Sequence, residues 1–321
     1  MNRTGFLYDP RYLLHDTGPY HPEVPERLQA ILKGLEEGGQ LEKVVRISAR
    51  PAAMEWIESV HTEAYIRRFE AACFGGRKTI DYPDNQMCAD TYEIAQLAVG
   101  GILDTIDLLM RGEIDNAFCA VRPPGHHAEV DCAMGFCYFN NIAIAACYLQ
   151  KKWDIERVAI IDFDVHHGNG TQHIFEKDPT VFYFSIHEHP SFAFPGTGRA
   201  FESGDGAGSG ATLNLPILPG QGDSEYVAHF DSDLLPALAK FDPGFILISA
   251  GFDAHCEDDM SGVSLTTEGY TKIMETLFDA AAEHTQGKLV SVLEGGYCLR
   301  RLGELASNHV DILLNRQFRS K

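Results

Sequence analysis

The sequence predicts an α/β fold in which helices flank a doubly wound parallel sheet. Five runs of apolar residues are continuous rather than alternating, which is typical of parallel strands covered on both faces. Helical stretches separate most of these runs, and such alternation of strands and helices predicts a parallel sheet. The 321-residue chain shows no Pro-, Gly- or Ser-rich linker, so we expect a single domain over residues 1–321.

The predicted elements follow one another along the chain. The five predicted strands are Asn116–Val121, Arg157–Ile161, Thr180–Phe184, Phe245–Ala250 and Leu289–Leu293. The predicted helices are Thr91–Met110, Asn141–Lys151, Ser224–Lys240 and Glu268–His284. Gly287 follows the last of these helices, and glycine commonly ends a helix at such a position.

Every predicted strand leads into polar residues that packing alone does not explain. These are Arg-Pro-Pro-Gly-His-His at 122–127, Asp-Phe-Asp-Val-His at 162–166, Ser-Ile-His at 185–187, Gly-Phe-Asp at 251–253 and Glu-Gly-Gly-Tyr at 294–297. In doubly wound sheets, ligands bind beyond the carboxyl ends of the strands. The polar clusters therefore predict a functional site at this edge of the sheet.

One of these clusters has the composition of a metal site. Asp162, Asp164 and His166 are spaced two residues apart, and extended side chains at that spacing point to the same side. A buried carboxylate is costly unless it is paired or coordinates a cation. We assign Asp164, His166 and Asp253 to a metal, because two carboxylates and one imidazole leave a position open for water, as in catalytic sites. This ligand set suits Zn²⁺, with Fe²⁺, Mn²⁺ or Co²⁺ as alternatives. Asp253 taken alone also fits a turn or a helix cap.

The tandem histidines His126 and His127 follow a rigid Pro-Pro-Gly turn. Neighbouring imidazoles titrate as a coupled pair, so that one can stay neutral while the other is charged. This arrangement suits a general base beside an electrostatic stabiliser. Metal binding by both rings, or a plain surface pair, is the alternative. Tyr297 follows two glycines at a strand end, where its hydroxyl could donate to a developing oxyanion.

Charge and cysteine content argue against several classes of protein. A formal net charge of −20 repels phosphate backbones, so we expect no nucleic-acid partner. Such a surface would attract cationic substrates, but a role in solubility alone is the alternative and explains the charge as well. Eight cysteines are scattered without a Cys-x-x-Cys pair, and neither a signal peptide nor an apolar stretch of membrane-spanning length is present. We therefore expect a cytoplasmic protein with reduced thiols and no membrane partner. The sequence does not predict an oligomeric state.

Five motifs occur in order along the chain. They are Arg-Pro-Pro-Gly-His-His at 122–127, Gly-Phe-Cys-Tyr-Phe-Asn-Asn at 135–141, Asp-Phe-Asp-Val-His-His-Gly-Asn-Gly at 162–170, Gly-Phe-Asp at 251–253 and Glu-Gly-Gly-Tyr at 294–297. Together they resemble the zinc-dependent histone deacetylase family, which includes acetylpolyamine amidohydrolases, and in particular its bacterial-type, class II-like members. The match runs from about His21 to about Tyr297. The resemblance implies the arginase/deacetylase fold and hydrolysis of an N-acetyl amide.

The resemblance also implies a role for each site residue. The Zn²⁺ ligands would be Asp164, His166 and Asp253. His127 would be the general base and then the acid for the leaving amine, with His126 as its electrostatic partner. Tyr297 would complete the oxyanion site. Asp162 and Asn169 would orient His126 and His127, and His127 should be less basic than if it faced an aspartate, because an amide carries no charge.

A narrow tunnel and an inner potassium site are implied in the same way. The tunnel residues would be Gly135, Phe136, Phe194, Met260 and Gly295. The structural K⁺ would be held by the main chain of Asp162, Asp164 and His166, together with Ser185 and Ile186. Aromatic faces can hold the methylenes of a lysyl or aminoalkyl chain whose head group is neutralised by acylation. Ordinary core packing is the alternative for both phenylalanines.

The substrate stays open between an acetylated peptide or protein and an acetylated polyamine. Met260, seven residues after Asp253, resembles the protein-deacetylase version of the tunnel rim. The acidic segment at 257–259 could instead place a carboxylate at the mouth, which would favour a polyamine. Asp84 and Asp81 compete as a further rim carboxylate.

Two other classes of function are alternatives. A ureohydrolase-like enzyme with two Mn²⁺ ions requires a second set of carboxylate ligands, whereas the histidine pair and Tyr297 favour the deacetylase. An inactive acyl-lysine binding module requires the loss of a metal ligand, of His127 or of Tyr297, and the sequence retains them all.

Overall fold

An eight-stranded parallel sheet runs through the computed structural model, which describes residues 2–316. Its strands are β1 (Thr4–Leu7), β2 (Val45–Ile47), β5 (Asn116–Cys119), β6 (Val158–Asp162), β7 (Val181–Glu188), β8 (Thr212–Ile217), β9 (Phe245–Ala250) and β10 (Leu289–Leu293). They lie in the order β2-β1-β5-β10-β9-β6-β7-β8, and each neighbouring pair is parallel. Two further strands, β3 (Thr79–Ile80) and β4 (Tyr82–Gln86), form a separate antiparallel hairpin.

Helices cover both faces of the sheet. They are α1 (Glu26–Glu37), α2 (Met54–Ile57), α3 (Glu63–Phe74), α4 (Thr91–Met110), α5 (Asn141–Trp153), α6 (Asn169–Phe175), α7 (Asp223–His229), α8 (Leu235–Phe241), α9 (Thr267–His284) and α10 (Leu299–Asn315). Helices α4 and α5 pack together against one face, whereas α9 and α10 pack together against the other, with α1 on α10. This arrangement confirms the predicted doubly wound α/β fold. No helix within residues 2–316 combines the length and the apolar character that crossing a membrane requires.

The predicted strands form the centre of the core. Every residue of β5, β6, β7, β9 and β10 is buried, as their continuous apolar composition requires when helices cover both faces. The predicted helix at 224–240 is divided, because a π-helical turn at Phe230–Leu234 joins α7 to α8. The carboxyl ends of the central strands all meet at one edge, which brings the polar segments that follow them together.

Helices α1 and α10 cross closely enough that a glycine is required at their contact. A Cβ added at Gly34 of α1 would overlap the backbone carbonyl of Gly303 of α10. The two backbones therefore approach each other without room for a side chain.

We predict that Gly34→Ala destabilises the protein by about 1–3 kcal/mol, because overpacking outweighs the better helix propensity of alanine. Urea unfolding measures this change in the free energy of unfolding. The control is Glu36→Ala at an exposed position of the same helix, which should change stability by less than about 0.5 kcal/mol. Equal stability of Gly34→Ala and the wild type would contradict this account of the contact.

Candidate active site

Two carboxylates and one imidazole converge beyond the ends of β6 and β9. One ligand atom from each of Asp164, His166 and Asp253 lies within 4.8 Å of the others, and all three residues are buried. Nδ1 of His166 lies 3.2 Å from Oδ1 of Asp164 and 3.1 Å from Oδ2 of Asp253. Within residues 2–316, these side chains form the one group with the spacing of a metal site. The structure thus brings together the three residues that the sequence assigned to a metal.

The backbone holds both carboxylates in place. Strands β6 and β9 are neighbours in register, so the loops that follow them start side by side. The N–H of Val165 donates to Asp253 Oδ1 at 3.0 Å, and the N–H of Gly295 donates to Asp164 Oδ2 at 2.7 Å. A Cβ at Gly295 would overlap Oδ2 of Asp253, so the absence of a side chain permits this close approach.

The charges of this cluster favour a bound cation. Burial and the neighbouring Asp164 carboxylate raise the pKa of Asp253 to about 6. Burial lowers the pKa of His166, but the two carboxylates outweigh it and raise that pKa to about 10. Protonated His166 therefore supplies positive charge between the two carboxylates, and a divalent cation could supply that charge instead. Oxygen and nitrogen ligands in this number suit Zn²⁺, so the residues present fit such an ion.

His126 is held in its charged form. Its Nδ1 lies 3.0 Å from Asp162 Oδ2, which also accepts the Tyr183 hydroxyl at 3.1 Å. Burial lowers the pKa of His126, but the carboxylates of Asp162, Asp164 and Glu294 raise it to about 10. This ring is therefore positively charged at neutral pH.

His127 is held in its neutral form. Burial, and then the charges of His126 and His166, lower its pKa well below the ordinary value. Its Nδ1 lies 2.8 Å from Asn169 Oδ1, while Asn169 Nδ2 donates to Glu129 Oε1 at 2.6 Å. Because Glu129 turns the amide oxygen toward the ring, Nδ1 of His127 carries the hydrogen and Nε2 is the free acceptor. The sequence attributed the low basicity to the uncharged amide, whereas burial and the neighbouring cation are the larger causes.

Tyr297 lies just beyond β10, between two other side chains. The guanidinium of Arg27 is 4.9 Å from the centroid of its ring, and the ring of Phe136 is 6.1 Å away. Arg27 donates to the carbonyl oxygens of Gly296 at 2.7 Å and Glu294 at 2.5 Å. The carboxylate of Glu23 pairs with Arg27 at 3.0 Å within the buried interior. This buried pair supports the backbone that carries Tyr297.

The carboxylate of Glu294 is a structural link that the sequence analysis missed. Its Oε2 accepts the N–H groups of Gly125 at 2.7 Å and His126 at 3.1 Å, and its Oε1 accepts the Ser249 hydroxyl at 3.2 Å. Burial raises the pKa of this carboxyl to about 7. The signal available in the sequence was an acidic residue directly after a fully buried strand.

Phe194 and Gly135 border His127, whereas Phe136 lies against His21 and Tyr297. The ring of Phe194 lies 5.0 Å from that of His127, and its residue is 42% exposed. Phe136 packs against His21 at 4.5 Å between ring centroids. Gly135 has a positive φ of 54°, and a Cβ there would overlap the His127 ring. Met260 is half-buried on the loop that follows Asp253.

The acidic residues before Met260 are mostly engaged elsewhere. Glu257 pairs with Arg300 and Arg301 of α10. Asp258 is buried and accepts the backbone N–H groups of residues 297 and 298, whereas Asp259 is exposed. Glu257 and Asp258 are therefore not free carboxylates at a tunnel mouth.

The two other candidates for the rim, Asp81 and Asp84, also differ in whether the carboxylate already has partners. Asp81 binds Arg68 and the N–H of Ala133, so its carboxylate is already engaged. Asp84 is half-buried on β4, and its backbone carbonyl lies 2.9 Å from Nε2 of His21. Asp84 is thus the better candidate for the rim.

The residues assigned to potassium come from the end of β6, the loop that follows it, and the neighbouring strand β7. Ser185 is paired in register with Asp162, and Ser185 and Ile186 are buried on β7. The Ser185 hydroxyl lies 2.8 Å from Nδ1 of His187. Asp162 and Ser185 therefore lie side by side near the carboxyl edge of the sheet.

The chain is similar to a deacetylase domain family and to individual deacetylases of archaea and bacteria. Residues 21–313 match the family described as "Histone deacetylase domain". A probable deacetylase of Archaeoglobus fulgidus is 41% identical over 296 residues, which cover 92% of this chain and 81% of that protein. A histone deacetylase-like amidohydrolase of Pseudomonas aeruginosa is 36% identical over 312 residues, covering 92% of this chain and 82% of that protein.

Relatives from plants include longer proteins. Histone deacetylase 5 of Arabidopsis thaliana is 36% identical over 98% of this chain, which spans 49% of that protein. The crystal structure of the HDA15 HD domain superposes with a TM-score of 0.93 at 36% identity, covering 99% of this chain and 91% of that one. This similarity confirms the arginase/deacetylase fold implied by the motifs.

We predict that Zn²⁺ binds the site formed by Asp164, His166 and Asp253 more tightly as the pH rises. His166, with its pKa raised to about 10, must release a proton to become a ligand. Affinity should rise about tenfold per pH unit across the neutral range, and more steeply in mildly acidic solution where Asp253 is also protonated.

Calorimetric titration in buffers of different ionisation enthalpy counts the protons released. Asp253→Asn, which removes one ligand charge, is the control and should bind Zn²⁺ far more weakly. An affinity that does not change with pH would contradict this description of the cluster.

Proposed function

The chain belongs to the histone deacetylase family, and we propose that it is a metal-dependent deacetylase acting on the acetyl amide of acetyl-lysine side chains or related acetylated amines. One observation carries the proposal. A neutral histidine, His127, lies beside a charged one, His126, next to three buried metal-type ligands. This combination supplies a base, a positive charge and a metal site at one place.

The residues divide the acid–base work between them. Zn²⁺ or another divalent metal held by Asp164, His166 and Asp253 would supply a Lewis acid for the amide carbonyl and increase the acidity of water. His127 accepts the proton of the attacking water at Nε2 and afterwards donates it to the leaving amine. His126 stays protonated and stabilises the negative charge that develops during attack.

Tyr297 acts as a hydrogen-bond donor. Burial raises the pKa of its hydroxyl well above the ordinary value, an effect that Arg27 opposes, so the hydroxyl keeps its proton at neutral pH. A protonated phenol can donate to the oxyanion and does not compete with His127 as a base. Arg27, buried behind it, places a positive charge near the inner end of the site, where acetate would leave.

The entrance favours an acetylated peptide or protein over a polyamine. Met260 is apolar, and Glu257 and Asp258 are engaged by α10 and by backbone N–H groups. Asp84 is available to accept backbone N–H groups of a peptide at the rim. Phe136 and Phe194 would hold the methylenes of an acetylated lysine. A polyamine is the alternative substrate, and the net charge of −20 would attract one.

The inner K⁺ site is part of the same proposal. Its ligands would be the main chain of Asp162, Asp164 and His166, together with Ser185 and Ile186. An ion there would offset part of the negative charge of Asp162 and Asp164.

The two-metal alternative is less favourable. A second ion would require a further set of ligands, and among residues 2–316 Asp164, His166 and Asp253 are the one group with the spacing of a metal site. Nδ1 of His126 and Nδ1 of His127 face Asp162 and Asn169. These partners orient the rings as acid–base groups.

We predict that Tyr297→Phe lowers kcat on an acetyl-lysine peptide by about 10²–10³-fold, the usual effect of removing one oxyanion donor. Affinity for an uncleaved hydroxamate analogue should fall far less. The control is Tyr20→Phe, which removes the hydroxyl of a residue that is 103% exposed. An unchanged kcat in Tyr297→Phe would sink the role given to this phenol, and no turnover by the wild type would favour the binding module.

We also predict that the Zn²⁺-loaded protein has a higher kcat/KM for an acetyl-lysine peptide than for acetylspermidine or acetylputrescine. Met260→Glu should shift this ratio toward the polyamines by about tenfold or more, because it adds a negative charge at the rim. Asp259→Asn, on the exposed part of the same loop, is the control. A wild-type preference for the polyamine, abolished by Asp259→Asn, would show that the acidic segment governs entry.

A further inference from the structure

We propose that Asp258 is a positioning residue that sets the location of the Tyr297 hydroxyl; this inference rests on the proposed role of Tyr297. Asp258 touches neither the metal-type ligands nor the histidine pair through any hydrogen bond among the described residues. It acts instead on the backbone that carries the phenol.

One carboxylate binds three backbone N–H groups from two loops. Oδ2 of Asp258 accepts the N–H of Tyr297 at 2.6 Å and that of Cys298 at 2.7 Å. Oδ1 accepts the N–H of Met260 at 3.1 Å. The residue is only 6% exposed, so water competes little for these contacts. Asp258 therefore joins the rim of the entrance to the loop of Tyr297.

These contacts lie at the junction between Tyr297 and helix α10. Cys298 is the N-cap residue of α10. Asp258 binds the N–H of this residue and that of Tyr297 before it, from a loop that lies 39 residues before Tyr297 in the chain. It thereby fixes the point at which the chain leaves Tyr297 and enters the helix.

Arg27 completes the hold on Tyr297 from the opposite side. It binds the carbonyl oxygens of residues 294 and 296, and its guanidinium lies against the phenol ring. The N–H groups at 297 and 298 are bound by Asp258. Because Arg27 binds carbonyl oxygens of this segment and Asp258 binds its N–H groups, the backbone of Gly296 and Tyr297 has little freedom to shift. A shift of about 1 Å in a catalytic group can cost on the order of 10²-fold in rate.

The neighbouring Glu257 offers a matched control. It ties the same loop to the same helix, but through the side chains of Arg300 and Arg301. It makes no hydrogen bond to the backbone of Tyr297 within residues 2–316. Glu257→Gln therefore removes a loop–helix contact without releasing the phenol.

The first experiment compares Asp258→Ala, Asp258→Asn and Glu257→Gln. Asp258→Ala should lower kcat on an acetyl-lysine peptide by about tenfold or more while KM stays within about twofold, because the lost contacts act on a group used in the transition state. Asp258→Asn should recover much of kcat, since its amide oxygen can still accept the N–H groups at 297 and 298. Glu257→Gln should match the wild type.

The second experiment combines Asp258→Ala with Tyr297→Phe. If Asp258 acts through the phenol, its removal should cost little further activity once the hydroxyl is gone. Equal losses from Asp258→Ala in the presence and absence of the hydroxyl would overturn the proposal, because they would indicate a purely structural role.

Hydrogen exchange provides a readout that does not depend on activity. In Asp258→Ala the amides of Tyr297 and Cys298 should exchange about tenfold faster or more, while those of Gly125 and His126, held by Glu294, should not change. Unchanged exchange at 297 and 298 would also overturn the proposal. If the wild type shows no turnover, the proposed function fails, and the exchange rates still decide whether Asp258 holds Tyr297.

Discussion

Four carboxylates lie buried together beyond the carboxyl edge of the sheet, and the arrangement of the site depends on how their charge is compensated. They belong to Asp162, Asp164, Asp253 and Glu294. Ionised carboxylates in such an environment require cations or several N–H donors. Here the positive charges are His126 and either protonated His166 or a bound metal, and the donors are backbone N–H groups of the loops after β5, β6 and β10. Removing a carboxylate would therefore release several loops at once.

The same carboxylates give two adjacent histidines different charges. His126 faces Asp162 and stays protonated, whereas His127 faces an amide and is kept neutral by burial and by the cation beside it. His126 therefore carries the extra proton, and Nε2 of His127 stays free to accept one. This separation of protonation states follows from the Asp162 partner of His126, from burial, and from the charges of His126 and His166 beside His127.

The elements that were predicted most accurately from the sequence are those whose residues are largely buried. The strands at 245–250 and 289–293 and the helix at 91–110 match the structure to the residue. Strands β1, β2 and β8 were missed because they are short or only partly buried. Asp164, His166 and Asp253 could be grouped from sequence because parallel strands end at one edge. The partners of Glu294 and Asp258 could not, since they depend on loop geometry between distant segments of the chain.

The proposed function requires a catalytic divalent metal held by Asp164, His166 and Asp253 beyond the ends of β6 and β9. Anomalous diffraction at the zinc absorption edge, from crystals grown with Zn²⁺, tests it most directly. The account predicts one strong peak per chain within bonding distance of Asp164, His166 and Asp253, and its loss in Asp253→Asn crystals. Ordered crystals with no peak at this position, or with a peak that survives Asp253→Asn unchanged, would contradict it.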